Sequence, residues 1–388
     1  MIRRIIVMTT LGLTAEILGF SQTPATILGE DNQYNPIETP VPFLNIDPES
    51  RGGAMGDVGV ATQPDVNSQC WNPSKYAFIN NDMGMAASYT PWLRKLASDI
   101  NLFYLVGYKR IDKQQVVSAS LRYFSLGQII FTDQNGGPMG GKTPNEFTLD
   151  AAYSRLFTEN FSMGMAARFI RSDLTGGTYV QGVGPGSVGL AYAMDVSGYY
   201  QKPILFQGMN SLMAFGINIS NVGSKISYSA SSVKDFIPTN LRLGGNLKMD
   251  LDSYNSLAVA LDFNKLLVPT PNDSGVTPNV SVAQGIIQSL YQAPGGLKEK
   301  LEEIMWSIGT EYWYRQQFAI RGGYFHEAQD KGNRKYFTLG IGLKMNVADF
   351  DFSYLIPTAG MNNPLANTMR FTVSFAFDKA KKPQPTNK

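Results

Sequence analysis

Residues 43–73 read FLNIDPESRGGAMGDVGVATQPDVNSQCWNP. This stretch is too rich in Gly, Pro, Asp and Asn to sustain a helical or an alternating pattern. It nevertheless keeps supplying large apolar side chains, including Met55, Val60 and Trp71. An irregular segment with so many apolar groups is typical of a chain that is packed inside another structure. We therefore predict a plug, or hatch, over residues 43–81.

Residues 82–377 form a long series of alternating segments separated by turn signals. In Met369–Phe377, for example, every second residue is large and apolar, whereas the residues between are polar or small. About fourteen such segments are present, and single-chain bacterial outer-membrane barrels have an even number of strands. They cover residues 82–89, 99–109, 115–124, 147–157, 161–169, 188–200, 212–222, 241–249, 257–267, 308–314, 318–326, 337–345, 350–356 and 369–377. We therefore predict an all-β fold, an antiparallel transmembrane β-barrel of about 14 strands with an N-terminal luminal plug.

The connections between these segments alternate between short and long. Most of the short ones hold three to six residues, and one of middling length covers residues 201–210. The longest of the others covers residues 268–307. Short turns at one rim and long loops at the other are typical of an up-and-down outer-membrane barrel, whose short turns lie in the periplasm. A soluble β-sandwich would have no reason to keep this parity.

The composition agrees with a membrane barrel and argues against other classes. Charged residues make up 16% of the chain, below the roughly 25% usual in soluble domains. Aromatic residues make up 12% and there are 38 glycines, which suits strands that end in aromatic girdles. The net charge of +2, without a basic stripe, argues against nucleic-acid binding. A single cysteine, Cys70, excludes an intramolecular disulfide and a cysteine-cluster metal site, and we predict no cofactor.

The two ends of the chain lie outside the alternating pattern. Residues 1–22 carry two arginines before an apolar run, the order of a secretory signal peptide rather than of an amphipathic helix. Beyond them, no stretch reaches the ~20 apolar residues of a spanning helix. Residues 23–42 hold four prolines and predict a periplasmic lead-in. Residues 82–377 are assigned to the barrel and residues 378–388 to a basic periplasmic tail.

Six basic residues occupy the polar positions of their alternating segments. We predict that they face the lumen, because a cation that faces lipid at the midplane costs ~2–4 kcal/mol. They are Arg122, Arg168, Arg242, Arg321, Lys344 and Arg370. The plug carries four acids, namely Asp47, Glu49, Asp57 and Asp65. Our hypothesis is that some of these acids pair with the luminal cations and hold the plug; solvated charges in a wet lumen are the alternative.

Several short motifs point to a known family. Ser50–Gly56 (SRGGAMG), Gly59–Ala61 and Trp71–Ser74 (WNPS) resemble the N-terminal hatch of the FadL-like outer-membrane barrels. More closely, they resemble the hatch of the PorV family of the bacterial type IX secretion system. Asn221–Gly223 and Ile237–Gly244 fit the same family, and the resemblance covers nearly the whole mature chain. The hatch residues carried over from it are Arg51, Gly52, Met55, Gly56, Asp57, Asn72 and Pro73.

What this resemblance implies is a protein of the Gram-negative outer membrane that breaks no bond. PorV-type proteins engage the C-terminal signal domain of secreted cargo as the cargo leaves a large outer-membrane translocon. They deliver it to a PorU-type sortase and its attachment complex, which removes the signal and joins the cargo to lipopolysaccharide. The partners implied are therefore cargo, translocon, sortase, attachment-complex proteins and outer-membrane lipid or lipopolysaccharide.

Two other functions remain open. A FadL-like transporter of hydrophobic small molecules predicts an apolar luminal pocket with a sideways route marked by a strand kink. The positions predicted to face the lumen are basic and glycine-rich rather than apolar, which favours an interaction protein instead. Loop residues could still build an apolar pocket. A lipid A O-deacylase would need a serine near His326, the only histidine, and the sequence offers no motif for it. We therefore predict no enzymatic activity.

The long loops hold the candidate contacts with cargo and partners. Apolar residues in residues 297–305 lie at helical spacing opposite charged ones, which predicts a helix. This helix either docks a partner or folds over the barrel mouth to bury its own apolar stripe. Adaptable methionines in exposed loops suit protein recognition, and ordinary mobile loops are the alternative. The candidate contact residues are Trp92, Met139, Leu301 and Met361.

Overall fold

The computed structural model describes residues 35–378, apart from residues 96, 133–136, 175–178, 181–183, 229–233, 273–274 and 359–364. Within these residues, fourteen antiparallel strands close into a barrel, which confirms the predicted fold class. The strands are β1 Met83–Pro91, β2 Ile100–Arg110, β3 Gln115–Leu126, β4 Asn145–Thr158, β5 Phe161–Asp173, β6 Gly189–Phe206, β7 Met209–Gly223, β8 Asn240–Asp250, β9 Asn255–Leu266, β10 Ile304–Tyr314, β11 Phe318–His326, β12 Lys335–Met345, β13 Ala348–Pro357 and β14 Met369–Phe377.

The barrel is closed by its first and last strands. Each strand pairs with its neighbours in the chain, and β14 pairs back with β1, so that Met83 lies opposite Phe377 and Tyr89 opposite Phe371. Closure removes the unpaired strand edges that a sheet cannot expose to hydrocarbon, because every backbone polar group there needs an internal partner. None of the helices among the described residues is long and apolar enough to cross a membrane.

The alternation of residue types along each strand separates an apolar outer face from a small or polar inner one. On β12, Phe337, Leu339 and Ile341 are about half exposed on the outside. Thr338 and Gly340, between them, are buried on the inside. The outer face therefore presents large apolar groups to the lipid.

The two rims of the barrel differ as the sequence predicted, with short turns at one and long loops at the other; we call them the short-turn rim and the long-loop rim. The predicted connection over residues 201–210 is too long. Strand β6 continues to Phe206 and β7 begins at Met209, so that only Gln207 and Gly208 turn, both at positive φ. A two-residue turn with two positive φ angles matches the twist of the flanking strands.

Several short elements are not part of the barrel wall. Two hairpins extend the long loops, one of Ile129–Thr132 and Pro138–Lys142 and one of Tyr179–Val180 and Gly184–Pro185. The helices are a 3-10 turn at Pro42–Asn45, α1 Ser50–Gly53, α2 Ser68–Trp71, a 3-10 helix at Pro73–Phe78, α3 Val282–Tyr291, α4 Gly296–Glu302 and a 3-10 turn at Gln329–Lys331. The helix predicted over residues 297–305 ends early, because Ile304 and Met305 already pair in β10.

Residues 35–42, which we call the strap, lie at the long-loop rim. The backbone N–H of Asn35 donates to the carbonyl of Asp330 (3.1 Å), and its side-chain amide donates to the carbonyl of Pro271 (3.2 Å). Both acceptors belong to long loops. These residues of the predicted periplasmic lead-in thus lie beside the long loops, a position for which their irregular sequence carries no signal.

Residues 43–81, the hatch, run from the strap to the start of β1. At their far end, the amide of Asn81 donates to Asp378, which follows β14 at the short-turn rim (3.1 Å). Between the two rims, the hatch is built of short helical turns whose apolar groups, such as Phe43, Val58 and Tyr76, are fully buried. The hatch thus crosses the lumen once, from the long-loop rim to the short-turn rim.

Candidate functional site

The inner wall has glycine where the hatch backbone comes closest. A Cβ atom added to Gly323 would lie 2.1 Å from the carbonyl carbon of Met55, and one added to Gly216 would lie 2.1 Å from the carbonyl oxygen of Val60. Real Cβ atoms do not approach so closely, so no other residue fits without moving the hatch. The inward glycines that meet the hatch include Gly164, Gly216, Gly244, Gly309, Gly323 and Gly340. They lie on six different strands and seat the hatch against the wall.

A second set of contacts joins inward-facing polar side chains to hatch carbonyls. The hydroxyl of Ser154 donates to the carbonyl of Pro73 (2.6 Å), and that of Ser162 donates to the carbonyl of Ser74 (2.8 Å). In the opposite direction, the side-chain amide of the hatch residue Asn72 donates to the carbonyl of Gly198 in the wall, and also to that of Val60 within the hatch, both at 3.0 Å. Because the hatch has little regular structure, its backbone groups need these partners from the wall.

Two of the four hatch acids pair with luminal cations. Arg370 Nη1 lies 3.1 Å from Asp57 Oδ1, and Tyr336 donates its hydroxyl to the same carboxylate. Arg242 Nη2 lies 3.5 Å from Asp47 Oδ1. Arg370 is 2% exposed, so the Asp57 pair lies in a dry part of the lumen rather than in water. A buried pair of this kind costs desolvation but fixes one geometry, since an unpaired member would be strongly unfavourable.

The other two hatch acids have different partners. Asp65 pairs with Arg51, itself a hatch residue (2.8 Å), and Arg51 also pairs with Glu311 on β10 (2.8 Å). Glu49 caps the short helix α1, because it accepts from the backbone N–H groups of Arg51 and Gly52, both at 2.6 Å. It also accepts from the indole N–H of Trp71 (2.8 Å). The hypothesis of acid–cation pairing therefore describes Asp47 and Asp57, and Arg51 supplies a contact that it did not include.

The contact of Arg51 continues into a network across three strands. Arg321 on β11 lies 2.7 Å from Glu311 and 2.6 Å from Asp351 on β13. The guanidinium of Arg51 and the carboxylate of Asp65 border a cavity of about 220 Å³ toward the short-turn rim. The network holds the hatch to the wall at Arg51, next to this charged cavity.

The remaining predicted luminal cations occupy different places. Arg122 donates through Nη1 to the carbonyls of Phe43 (3.3 Å) and Leu44 (3.1 Å) in the hatch. Arg168 pairs with carboxylates of the barrel wall, and Lys344 is half exposed beside Asp349 (3.6 Å) near the short-turn rim. All six predicted cations lie at inward-facing positions of their strands.

Of the other predicted hatch residues, Gly52 and Gly56 are close-contact positions. A Cβ atom on Gly52 would meet the ring of Trp71 at 2.3 Å, and one on Gly56 would meet backbone atoms of Tyr324 at 2.7 Å. The backbone N–H of Gly56 donates to the hydroxyl of Thr338 (2.7 Å). Gly56 also has a positive φ of 75°, a conformation that other residues rarely adopt.

The barrel wall is irregular at one place. The register between β6 and β7 shifts at Asp195, and Asn221 opposite it has a positive φ of 60°. Arg168 on β5 lies 3.1 Å from Asp195 and also pairs with Asp150 on β4. This buried cluster fills the inner side of the bulge, where a sideways route into the lipid would have to begin.

The apolar space at the long-loop end of the lumen is filled by the chain itself. Val41 and Phe43 are fully buried there. They pack in a cluster with Leu102, Phe124, Ile170, Ala191, Ala193, Ile226 and Ile237. Cavities with mainly apolar linings lie at the lipid-facing wall beside Met85 and Phe375, and a further cavity of about 360 Å³ lies at the long-loop end between the strap and Arg334. The apolar cluster at this end of the lumen is thus built with strap and hatch side chains rather than left open as the pocket that a small-molecule transporter predicts.

The candidate contact residues of the loops are dispersed. Trp92 is partly buried against the apolar cluster of Val41 and Phe43, whereas Leu301 is 61% exposed on α4. Met139 lies on the hairpin strand Pro138–Lys142, but its side chain lies outside the described part of the structure, as does Met361 altogether. His326 stacks on Trp306 with ring centroids 5.1 Å apart, the position of a rim aromatic.

Sequence reasoning missed two parts of this site. The inward-facing positions were recognised as rich in glycine, but the contact of these glycines with the hatch backbone was not predicted. Only the recurrence of Gly at the same height on neighbouring strands would have indicated that contact. Sequence reasoning also missed Lys75, which is fully buried in the hatch and donates to Gly59 and Thr62 (both 2.9 Å). Nothing in the irregular sequence around Lys75 marks it as buried.

Comparisons with known proteins agree with this architecture. The toluene transporter TodX of Pseudomonas putida superposes with a TM-score of 0.50 at 12% identity, over 86% of this chain and 100% of that chain. A TodX deltaS2S3 mutant gives 0.50 at 12% identity over 85% and 98%, and a FadL homologue of Pseudomonas aeruginosa gives 0.42 at 12% identity over 89% and 100%. At such identities the likeness to the two TodX structures shows a shared fold alone.

The family comparison reaches further. No curated protein is significantly similar to the chain in sequence. The family described as "Type IX secretion system protein PorV" matches residues 29–273, more than half of the chain. The chain is therefore a β-barrel of the Gram-negative outer membrane that belongs to the PorV family of the type IX secretion system.

Proposed function

We propose that the protein binds the C-terminal signal domain of secreted cargo after translocation. It delivers that cargo to a PorU-type sortase and its attachment complex, which joins it to lipopolysaccharide. The observation that carries this proposal is the filled lumen of a PorV-family barrel: the hatch is seated by wall glycines and buried ion pairs. A barrel whose lumen holds a hatch of this kind is suited to act through its rims, and the long loops at one rim offer a surface for a partner.

The longest loop supports a docking role. On α4, Leu297 is 76% exposed and Leu301 61% exposed, whereas Glu299 and Lys300 on the opposite face are buried. The alternative that this helix buries its own apolar stripe is therefore wrong. The exposed large apolar residues of this loop are Val276, Ile287, Leu290, Tyr291, Leu297 and Leu301. Exposed apolar side chains concentrated in one loop suit contact with a partner.

The two other functions have weaker support. Transport of a hydrophobic small molecule would fit the TodX-like fold, but the apolar luminal space is filled by Val41 and Phe43. A deacylase would need a nucleophile beside His326, whose ring instead stacks on Trp306. We therefore propose no enzymatic activity.

The test is purification of the tagged protein from its native outer membrane in a mild detergent, with mass spectrometry of whatever accompanies it. We expect secreted proteins that share a C-terminal domain, a very large outer-membrane protein, or both. The double variant Leu297→Asp/Leu301→Asp should recover several-fold less cargo, because a charged face cannot bury apolar contacts. Lys298→Ser, an exposed change on the same helix, should recover as much as the wild type.

A monomer accompanied only by lipid or fatty acid would contradict the proposal and favour the transporter. Equal recovery by the double variant and the wild type would show that cargo binds elsewhere on the barrel.

A further inference from the structure

The strap is held at the long-loop rim by charged groups of α4 and a neighbouring loop. Lys331 donates to the carbonyl of Asn35 (2.9 Å) and forms an ion pair with Glu299 on α4. The side-chain amide of Asn35 donates to the same Glu299 (3.1 Å). Lys331 and Glu299 are each only 9% exposed, so this junction is largely dry.

The charged face of α4 continues the junction inward. Glu303, which caps the end of α4, is 3.0 Å from Lys300 and also pairs with Lys265 at the end of β9. The helix therefore turns every charged group of this face toward the strap and the barrel mouth. Its two leucines are left on the outside as a consequence.

A strained backbone marks the point where the strap enters the hatch. Val41 has a φ of 51° in the left-handed region, which is a genuine outlier for a β-branched residue. Such a conformation persists only where the surroundings determine it. The fully buried side chain of Val41 in the apolar cluster supplies that constraint, so the strap is anchored at both of its ends.

We propose that the strap is displayed on the cell-surface side of the outer membrane and clamps α4, so that the charged face of the helix is held inward and its two leucines outward. The clamp acts through Asn35, Glu299 and Lys331. Contact of the leucines with cargo belongs to the proposed function; the display and the clamp do not rest on it. Long loops of outer-membrane barrels face the cell exterior, so the strap, which lies among them, is placed on that side of the membrane.

The position of the strap on the cell-surface side is tested by labelling intact cells with a membrane-impermeant maleimide, in a Cys70→Ser background. Glu38→Cys lies on an exposed strap residue, and Lys113→Cys lies on an exposed residue of a short turn. We expect Glu38→Cys to be labelled on intact cells and Lys113→Cys only after the outer membrane is permeabilised. Labelling of Glu38→Cys only after permeabilisation would overturn the display of the strap.

The clamp is tested by hydrogen exchange of α4 in the purified protein. Lys331→Met and Asn35→Ala should each speed exchange of residues 296–303 by about tenfold, because local opening then costs less. Lys298→Met removes only an exposed pair with Glu302 and should leave this exchange unchanged. Unchanged exchange in both clamp variants would overturn the clamp.

These readouts do not depend on cargo. If the strap is labelled and the clamp variants loosen α4, yet no cargo is recovered with the wild-type protein, the proposed function fails while the inference stands. If cargo is recovered but Glu38→Cys stays unlabelled on intact cells, the inference fails alone.

Discussion

At the scale of single residues, the fit between hatch and wall depends on the absence of side chains. Gly323 faces inward against Met55, whereas its neighbour Gly322 faces outward, where an added Cβ would find its nearest atom 3.8 Å away. Gly323→Ala should therefore lower the free energy of unfolding by roughly 1–3 kcal/mol, the usual cost of overpacking. Urea unfolding in detergent micelles, followed by tryptophan fluorescence, measures the change.

The matched control is Gly322→Ala, which should leave the unfolding midpoint within experimental error of the wild type. A second pair on another strand gives the same contrast: Gly244 meets Val60, whereas Gly245 meets only outward ring and backbone atoms at 3.5 Å or more. Equal stability of Gly323→Ala and Gly322→Ala would mean that the hatch yields freely, and the wall glycines would not seat it.

At the scale of elements, the bulge between β6 and β7 is held by charge rather than by regular pairing. Arg168 is the shared partner of Asp150 and Asp195, all of them nearly buried. Arg168→Met would leave two carboxylates without their cation, which should destabilise the barrel by roughly 3–5 kcal/mol. The same urea titration measures this change.

Two controls separate lost charge from lost packing at the bulge. Arg171→Met, on the same strand, removes a more exposed pair with Asp173 and should cost about 1 kcal/mol or less. The triple variant Arg168→Met/Asp150→Asn/Asp195→Asn should regain most of the loss, because no buried charge remains unpaired. If the triple variant is as unstable as Arg168→Met, packing and not charge holds the bulge.

The elements also show how far sequence reasoning reaches. All fourteen strands could be predicted, because residues such as Phe337 and Thr338 alternate with a period that only a pleated strand explains. The orientation of α4 could not, since an amphipathic pattern shows that two faces differ but not which one is buried. The position of Asn35 beside the long loops could not be predicted for a related reason, because a segment without a periodic pattern or a long apolar run does not indicate which rim it occupies.

At the scale of the whole molecule, one chain segment fills the lumen from rim to rim. The strap is tied at the long-loop rim, and the hatch ends at the short-turn rim where Asn81 meets Asp378. Ion pairs at Asp47, Asp57 and Arg51 hold it at intervals between these ends. Movement of the hatch as a unit would therefore have to break several buried contacts together.

This arrangement predicts that the protein conducts no ions while the hatch is in place. In planar lipid bilayers the wild-type protein should show no channel, because the hatch crosses the lumen with its backbone against the wall glycines. Deletion of residues 35–81 should produce a conductance well above the wild-type baseline, provided that the variant still migrates as a folded, heat-modifiable barrel. Gly322→Ala, which leaves the hatch untouched, should stay closed. Wild-type channels as large as those of the deletion variant would show that the hatch does not seal the barrel, and the case for a rim-acting interaction protein would lose its main support.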